Sequence, residues 1–324
     1  MTSLNGSSIL ITGGTGSFGQ KFVQHLLKQH NPRRVVVYSR DELKQYEMAQ
    51  LIQAPQLRYF IGDVRDRERL TRALHGIDTI VHAAAMKQVV AAEYNPIECI
   101  KTNVIGAENV VNAAIDCGVK RVIALSTDKA VNPINLYGAT KLCSDKLFIA
   151  GNNLAGKEGP RFSVVRYGNV AGSRGSVVPL FRQLRESGTL PITDERMTRF
   201  WITLKQGVEF VDRCLGLMKG GEVFIPKIPS IRIVDLATAM APECKQKVVG
   251  IRPGEKLHEC MIPQDEARLT REFPEFYVIL PSMPSGPMVG EPDYEGGKGK
   301  VVAENFQYSS ETNDRWADNE QLME

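Results

Sequence analysis

Ser8-Ile9-Leu10-Ile11-Thr12-Gly13-Gly14-Thr15-Gly16-Ser17-Phe18-Gly19 decides the fold. Its apolar half has the composition of a short strand buried on both faces of a parallel sheet. Glycines follow at 13, 16 and 19, and Phe22, Val23, Leu26 and Leu27 then recur at helical period. Glycine at those points lets the backbone turn tightly, approach a pyrophosphate and aim helix N–H groups at it. Alone, the glycine pattern is weak. A strand before it and an amphipathic helix after it make it strong.

Working outward, β-rich apolar runs recur at 34–38, 57–61, 79–82, 121–125 and 163–166. Segments near 17–30, 41–53, 66–75, 93–117 and 136–154 carry helical periodicity between them. This alternation predicts an α/β chain with a doubly wound parallel sheet, a Rossmann arrangement, with ligands at the carboxyl ends of its strands. After about residue 167 glycine and proline become frequent, strands shorten, and helices near 175–187 and 204–218 stand alone. The expected organisation is a Rossmann domain over 1–166 carrying cofactor and catalytic residues, a smaller C-terminal substrate-binding α/β domain over 167–280, and an extended arm over 281–324.

The 324 residues can bury one large and one small core. A net charge of +3, without a basic block, excludes nucleic acid as an expected partner. The six cysteines are scattered without a C-x-x-C pair, which reads as reduced, mostly buried thiols. No run approaches the roughly 20 apolar residues of a membrane span, and the first residues lack a signal-peptide pattern. A cytoplasmic protein is expected. The five histidines show no ligand spacing, so no metal is expected.

A dinucleotide cofactor would rest on Gly13, Thr15, Gly16, Ser17, Phe18 and Gly19. The second strand ends Tyr38-Ser39-Arg40-Asp41. An NAD site normally puts a carboxylate at that strand end for the ribose 2′-hydroxyl, whereas Ser39-Arg40 suits a 2′-phosphate held by a planar guanidinium. NADP is therefore preferred. Asp41 is expected to turn into the next helix as a cap or first-turn carboxylate, with Lys44 in the same cofactor set. Asp63 and Val64 are placed for the adenine edge, and Ala83 and Ala84 give small residues where the cofactor passes. Lys87 leaves the neighbouring strand on the same edge, and Asn103 is positioned to brace this backbone from the following helix.

Chemistry concentrates in Ser126-Thr127-Asp128-Lys129 and Tyr137-Gly138-Ala139-Thr140-Lys141. Tyr-x-x-x-Lys puts two side chains one helical turn apart on one face. There the Lys141 ammonium can lower the Tyr137 pKa, so that a phenolate takes a proton from a substrate hydroxyl. Thr127 would hydrogen-bond that hydroxyl. The additional acid and amine, Asp128 and Lys129, imply proton transfers beyond a simple alcohol oxidation.

These motifs resemble those of the extended short-chain dehydrogenase/reductase superfamily. Within it they are most similar to the soluble inverting UDP-N-acetylglucosamine 4,6-dehydratases that open pseudaminic acid synthesis. The resemblance runs from about residue 7 to 281. It is carried by Tyr38-Ser-Arg-Asp-Glu42, Ala84-Ala-Met-Lys87, Ser126-Thr-Asp-Lys129, Arg166-Tyr-Gly-Asn-Val170 and Arg252-Pro-Gly-Glu-Lys256. It implies UDP-N-acetylglucosamine as substrate, a tightly held NADP regenerated each turnover, and a homo-oligomer, with a hexamer as its form. It places Lys87, Asn169, Val170, Arg174, Thr193, Arg252 and Glu255 at the sugar nucleotide. Retaining relatives carry Asp-Glu where this chain has Asp128-Lys129.

The implied reaction begins with Tyr137 taking the 4-hydroxyl proton as hydride leaves C4. The 4-ketone acidifies C5–H, and Lys129, its pKa lowered by burial and neighbouring cations, removes that proton. A protonated Asp128 then helps the 6-hydroxyl leave, and inversion follows if C5 is reprotonated from the opposite face. A retaining dehydratase or 4-epimerase, and a catalytically silent NADP-binding protein, stay open as alternatives.

Overall fold

The computed structural model describes residues 4–172, 177–282, 293–318 and 321–322. The first half follows the expected alternation: β1 (Ser8–Thr12), α1 (Ser17–Gln29), β2 (Arg34–Ser39), α2 (Glu42–Leu51), β3 (Leu57–Ile61), α3 (Arg67–Leu74) and β4 (Thr79–His82). Next come α4 (Val89–Tyr94), α5 (Pro96–Ile100), α6 (Gly106–Asp116), β5 (Arg121–Thr127), α7 (Leu136–Ala155) and β6 (Arg161–Tyr167). The strands β3-β2-β1-β4-β5-β6 pair in parallel in that order. Their order reverses between β1 and β4. A crevice at the carboxyl ends of the strands opens at such a reversal.

The helix expected over 93–117 starts earlier and is interrupted. Pro96 lacks an amide proton and opens α5, so α4 ends at Tyr94. A π-helical turn, Lys101–Ile105, then precedes α6. That turn carries Asn103, whose side chain accepts from Met86 N (2.8 Å) and donates to Met86 O (2.9 Å) and Thr140 Oγ1 (3.0 Å). Asn103 thus ties the loop after β4 to α7.

The second half is less separate than the sequence implied. It holds β7 (Asn169–Val170), α8 (Val177–Leu184), β8 (Thr189–Ile192), β9 (Thr198–Ile202), α9 (Leu204–Leu217) and β10 (Val223–Pro226). It continues with β11 (Ser230–Arg232), α10 (Ile233–Met240), β12 (Lys245–Val248), β13 (Cys260–Ile262), β14 (Thr270–Glu272) and β15 (Phe276–Ile279). Two short strands, β16 (Lys300–Val301) and β17 (Tyr308–Ser309), lie in the expected arm. Strand β10 pairs with β6, and β15, β14 and β16 follow it, so the large sheet has ten strands among the described residues. The boundary at 166/167 therefore does not divide the sheet, and parts of 167–280 complete the first domain. The short, interrupted strands concealed this, because each edge strand is too brief to show a period.

A second core does exist. Phe181, Leu190, Ile192, Trp201 and Leu236 pack together apart from the main cluster. Its members Trp201 and Ile231 lie on strands of the small sheet β11-β9-β7. The arm is not free: β17 pairs with β13, and Trp316 bridges to Ser230. Among the described residues no helix is long and apolar enough to cross a membrane.

Candidate active site

The glycine loop is built by backbone proximity. Gly13 has φ +64°, and a Cβ there would lie 2.9 Å from the Ala84 backbone. A Cβ on Gly19 would lie 2.5 Å from Gly14 Cα, so only glycine lets α1 start this close to the turn. Gly16 caps α1 without a side-chain acceptor, leaving the first-turn amides without partners within the helix. Unpartnered amides at a helix N-terminus attract an anion. These features fit a dinucleotide pyrophosphate.

Thr12 holds the adjoining strand end. Its Oγ1 accepts from Ala83 N (3.1 Å) and Ala84 N (3.2 Å), so its one proton faces His82 Nδ1 at 2.8 Å. His82 is buried, and burial, aided by the Lys141 charge, pushes its pKa down to about 3. It stays a neutral acceptor.

At the end of β2, Asp41 caps α2: its carboxylate accepts from Lys44 N at 3.0 Å and pairs with Lys44 Nζ at 2.7 Å. Arg40 is 57% exposed and reaches Asp63 at 3.5 Å. Asp63 also accepts from Arg65 N, Nε and Nη2, while Asp66, not Asp63, caps α3. The Ser39 hydroxyl accepts from Gln45 Nε2 at 3.0 Å.

Between these strand ends and the second lobe lies a cavity of about 660 Å³. Every residue expected to hold the cofactor lines it: Gly13, Thr15 to Gly19, Ser39, Arg40, Asp41, Lys44, Asp63, Val64, Ala83, Ala84, Lys87, Tyr137 and Lys141. Thr127, Lys129, Asn169 and Val170 line it too. Thr193, Arg252 and Glu255 do not, and Arg252 stands 3.9 Å from Glu255. Arg174 lies outside the described residues.

The electrostatics of the reacting groups depart from the sequence reading in three ways. Lys129 was expected to have a lowered pKa. Burial does push it down, but Asp128 (3.0 Å) and Glu259 (3.2 Å) outweigh burial, and the net direction is up. Lys129 is held as an ammonium. For Tyr137, burial dominates and raises the pKa to about 12; the cation that opposes this is Lys129, not Lys141. Lys141 itself is buried and its pKa lowered by burial against the pull of Asp145. The third departure concerns Thr127, whose hydroxyl donates to Asp128 Oδ1 at 2.9 Å, so in this state it meets a substrate hydroxyl as an acceptor. Asp128 is fully buried, and its Oδ2 has no hydrogen-bond partner among the described residues.

Glu259, which sequence reasoning missed, precedes β13, 130 positions beyond Lys129. No short-range spacing marks it. Sequence spacing also gave no sign that His25 and His30 both reach the Asp212 carboxylate, at 2.8 and 2.9 Å, across the α1–α9 contact and outside the cavity lining. Helix packing brings together groups that sequence spacing kept apart.

A family model described as polysaccharide biosynthesis protein matches residues 9–281. The chain is 57% identical, over 99% of its length and 97% of the relative's, to a Campylobacter jejuni protein named UDP-N-acetylglucosamine 4,6-dehydratase (inverting). The structure of Pen from Bacillus thuringiensis superposes with a TM-score of 0.89 at 36% identity, covering 99% of this chain and 97% of that one. DesIV, a dTDP-glucose 4,6-dehydratase from Streptomyces venezuelae with NAD and TYD bound, gives 0.70 at 27% identity over 77% and 86%.

Proposed function

We infer, on the premise that this chain belongs to the polysaccharide biosynthesis protein family, that it is an inverting UDP-N-acetylglucosamine 4,6-dehydratase. The observation that carries this is Lys129 Nζ, 3.0 Å from the Asp128 carboxylate and on the wall of the same cavity as the glycine loop. By the same reading it acts on the cytoplasmic sugar-nucleotide pool and opens pseudaminic acid synthesis.

The glycine loop, with Lys141 and Tyr137 opposite, would hold a nicotinamide dinucleotide. When bound, that group supplies hydride acceptance at C4 of the sugar and hydride return at C6. NADP is the preferred form, supported by Asp41 being committed to its helix cap while Arg40 stays exposed at the cavity edge. Tyr137 takes the 4-hydroxyl proton, its phenolate favoured by the Lys129 charge.

Lys129 is charged at the outset, so it must give up a proton before it can serve as a base. Asp128, at 3.0 Å, is the acceptor. Transfer turns the ion pair into a neutral amine and a carboxylic acid, which are the base for C5–H and the acid for the departing 6-hydroxyl. Asp128 is fully buried, so its charged form has lost its water and the neutral pair comes within reach. Thr127, bonded to Asp128 and facing the cavity, is the route by which the acid proton reaches the leaving group. When the C5 proton has been taken and water has left, Lys129 is again an ammonium and Asp128 a carboxylate, while Tyr137 still holds the proton from the 4-hydroxyl. As hydride returns to C6, C5 takes a proton on the face opposite Lys129; the Tyr137 proton balances it, and all three groups are regenerated.

Incubation with UDP-N-acetylglucosamine in deuterated water tests the reading. Deuterium at C5 of a 4-keto-6-deoxy product of inverted configuration is expected. A C4 epimer without deuterium would assign the chain to the epimerases. A homo-oligomer belongs to the same proposal and is supported by Val90, Tyr94 and Ile97, large apolar side chains exposed together on α4 and α5. Sedimentation of the purified chain as a monomer would remove that part alone.

A further inference from the structure

We propose that Glu259 is a positioning residue for Lys129, holding its amine beside Asp128 and keeping it charged until the proton is passed on. The proposal rests on the dehydratase reading above.

An ammonium has three donors. Lys129 Nζ has three acceptors within reach: Asp128 Oδ1 at 3.0 Å, Glu259 Oε1 at 3.2 Å and Asn169 Oδ1 at 3.5 Å. Asp128 and Asn169 accept hydrogen bonds from the ammonium, and Glu259 flanks it as an ion-pair partner, so the nitrogen is held from three sides. Without Glu259 one of those three anchors is lost and the nitrogen can move away from Asp128.

Glu259 is 2% exposed, and its Oε2 has no hydrogen-bond partner. Burying a carboxylate so incompletely satisfied is costly unless a cation compensates it. Lys129 is the nearer cation, with Arg199 at 3.9 Å. The fold nevertheless fixes Glu259 from both sides of its backbone. Its N–H donates to Ser310 Oγ (2.9 Å), and its carbonyl accepts from Ser310 N (2.8 Å). Ser310 Oγ lies 2.7 Å from Thr198 Oγ1, which meets His258 Nδ1 at 2.8 Å. The C-terminal arm therefore places a carboxylate against the reacting amine. A residue that served stability alone would be better replaced by an apolar one.

Several charged groups bear on the amine. Asp128 and Tyr137 face it from the end of β5 and from α7, Glu259 from the segment before β13, and Arg199 from β9; His258 adjoins Glu259 and meets Glu311 at 3.5 Å. Removing the Glu259 charge leaves Arg199 uncompensated, so the amine holds its proton less tightly. The sign follows: the alkaline limb of the kcat–pH profile moves to lower pH.

The test uses the full-length, cofactor-loaded enzyme carrying Glu259→Gln or Glu259→Asp. For Glu259→Gln we expect kcat to fall about 100-fold and the alkaline limb to move down by about one unit. The rise in reduced-nicotinamide absorbance on substrate addition should persist, because C4 oxidation does not need Glu259. Glu259→Asp keeps the charge at a shorter reach, so its pH profile should return toward wild type while kcat stays reduced. Unchanged turnover and pH profile in Glu259→Gln would overturn the proposal. So would equal losses of C4 oxidation and elimination, or a failure of Glu259→Asp to restore the profile, either of which would mark a purely structural role. If Glu259→Gln gives no cooperative melt, the Glu259→Asp profile decides alone: a limb displaced from wild type overturns the proposal. Wild-type enzyme forming no 4-keto-6-deoxy product would instead defeat the functional reading.

Discussion

Two lysines on one cavity wall, Lys141 buried and Lys129 partly so, behave in opposite ways. Lys141 sits on α7 with Asp145 as its main counter-charge, and burial wins: its pKa falls. Lys129 leaves β5 between two carboxylates, and they win: its pKa rises. Both residues line one cavity. Burial alone therefore does not set the direction of a lysine's shift; the carboxylates close to it decide whether burial prevails. The contrast separates a site that binds from a site that exchanges protons, and each of the following experiments presses on one side of it.

The largest effect is expected for Lys129→Ala. Removing the amine takes away the C5 base, and dehydration should fall by roughly 10³-fold, within the range for general acid–base groups. NADP should stay bound, because the glycine loop is untouched. Product formation and cofactor content, measured on the same sample, check both halves. Undiminished turnover would show that the proton-exchanging side of the comparison is misplaced.

On the binding side, Gly13→Ala would force a side chain to φ +64° with its Cβ 2.9 Å from the Ala84 backbone. Strain of that kind is worth about 1–3 kcal/mol, or roughly 10–100-fold in cofactor affinity. Fluorescence titration with NADPH measures it. Affinity should fall while the elimination step of the loaded enzyme is preserved, the mirror image of Lys129→Ala.

The cofactor half was legible in the sequence because it is local. The strand, the three glycines and the helix after them occupy one short stretch, and each glycine has a backbone reason visible from spacing. The Tyr137/Lys141 pair was legible for the same reason: both lie on one helix, α7. What escaped was assembled at long range. Glu259 reaches Lys129 from 130 positions away, and His25 and His30 meet Asp212 only because α1 packs on α9. The upward shift of Lys129 draws on Asp128 and Glu259 together, and only Asp128 adjoins it in the sequence. The extra sheet strands escaped for a related reason. β10 and β15 are four residues each, and their place is set by pairing partners, not by their own pattern.

A smaller effect should appear in the acid stability of the fold. His82 keeps a pKa of about 3 when folded, against an ordinary 6.5 when unfolded. Below pH 6.5 the unfolded chain binds a proton that the folded chain refuses, so stability falls as pH drops from 6.5 toward 3. By pH 5 the loss from this group is about 2 kcal/mol. Thermal melts across that range should show a shallower slope for His82→Gln than for wild type. An equal slope would place the acid sensitivity elsewhere.

The smallest expected effect tests the edge of the binding region. Arg40 is 57% exposed and holds Asp63 only at 3.5 Å, so its resting interaction is a weak, screened pair. Asp41 beside it is bound to Lys44 by both backbone and side chain, which removes the carboxylate an NAD ribose would need. If Arg40 meets a 2′-phosphate, Arg40→Ala should weaken NADP by about tenfold and leave NAD nearly unchanged, since the two cofactors differ only at that group. Paired titrations of one variant with both cofactors read the difference directly. An equal loss for both would mean that Arg40 serves the loop through Asp63, and the 2′-phosphate would then need another partner, such as Lys44 on the same cavity wall.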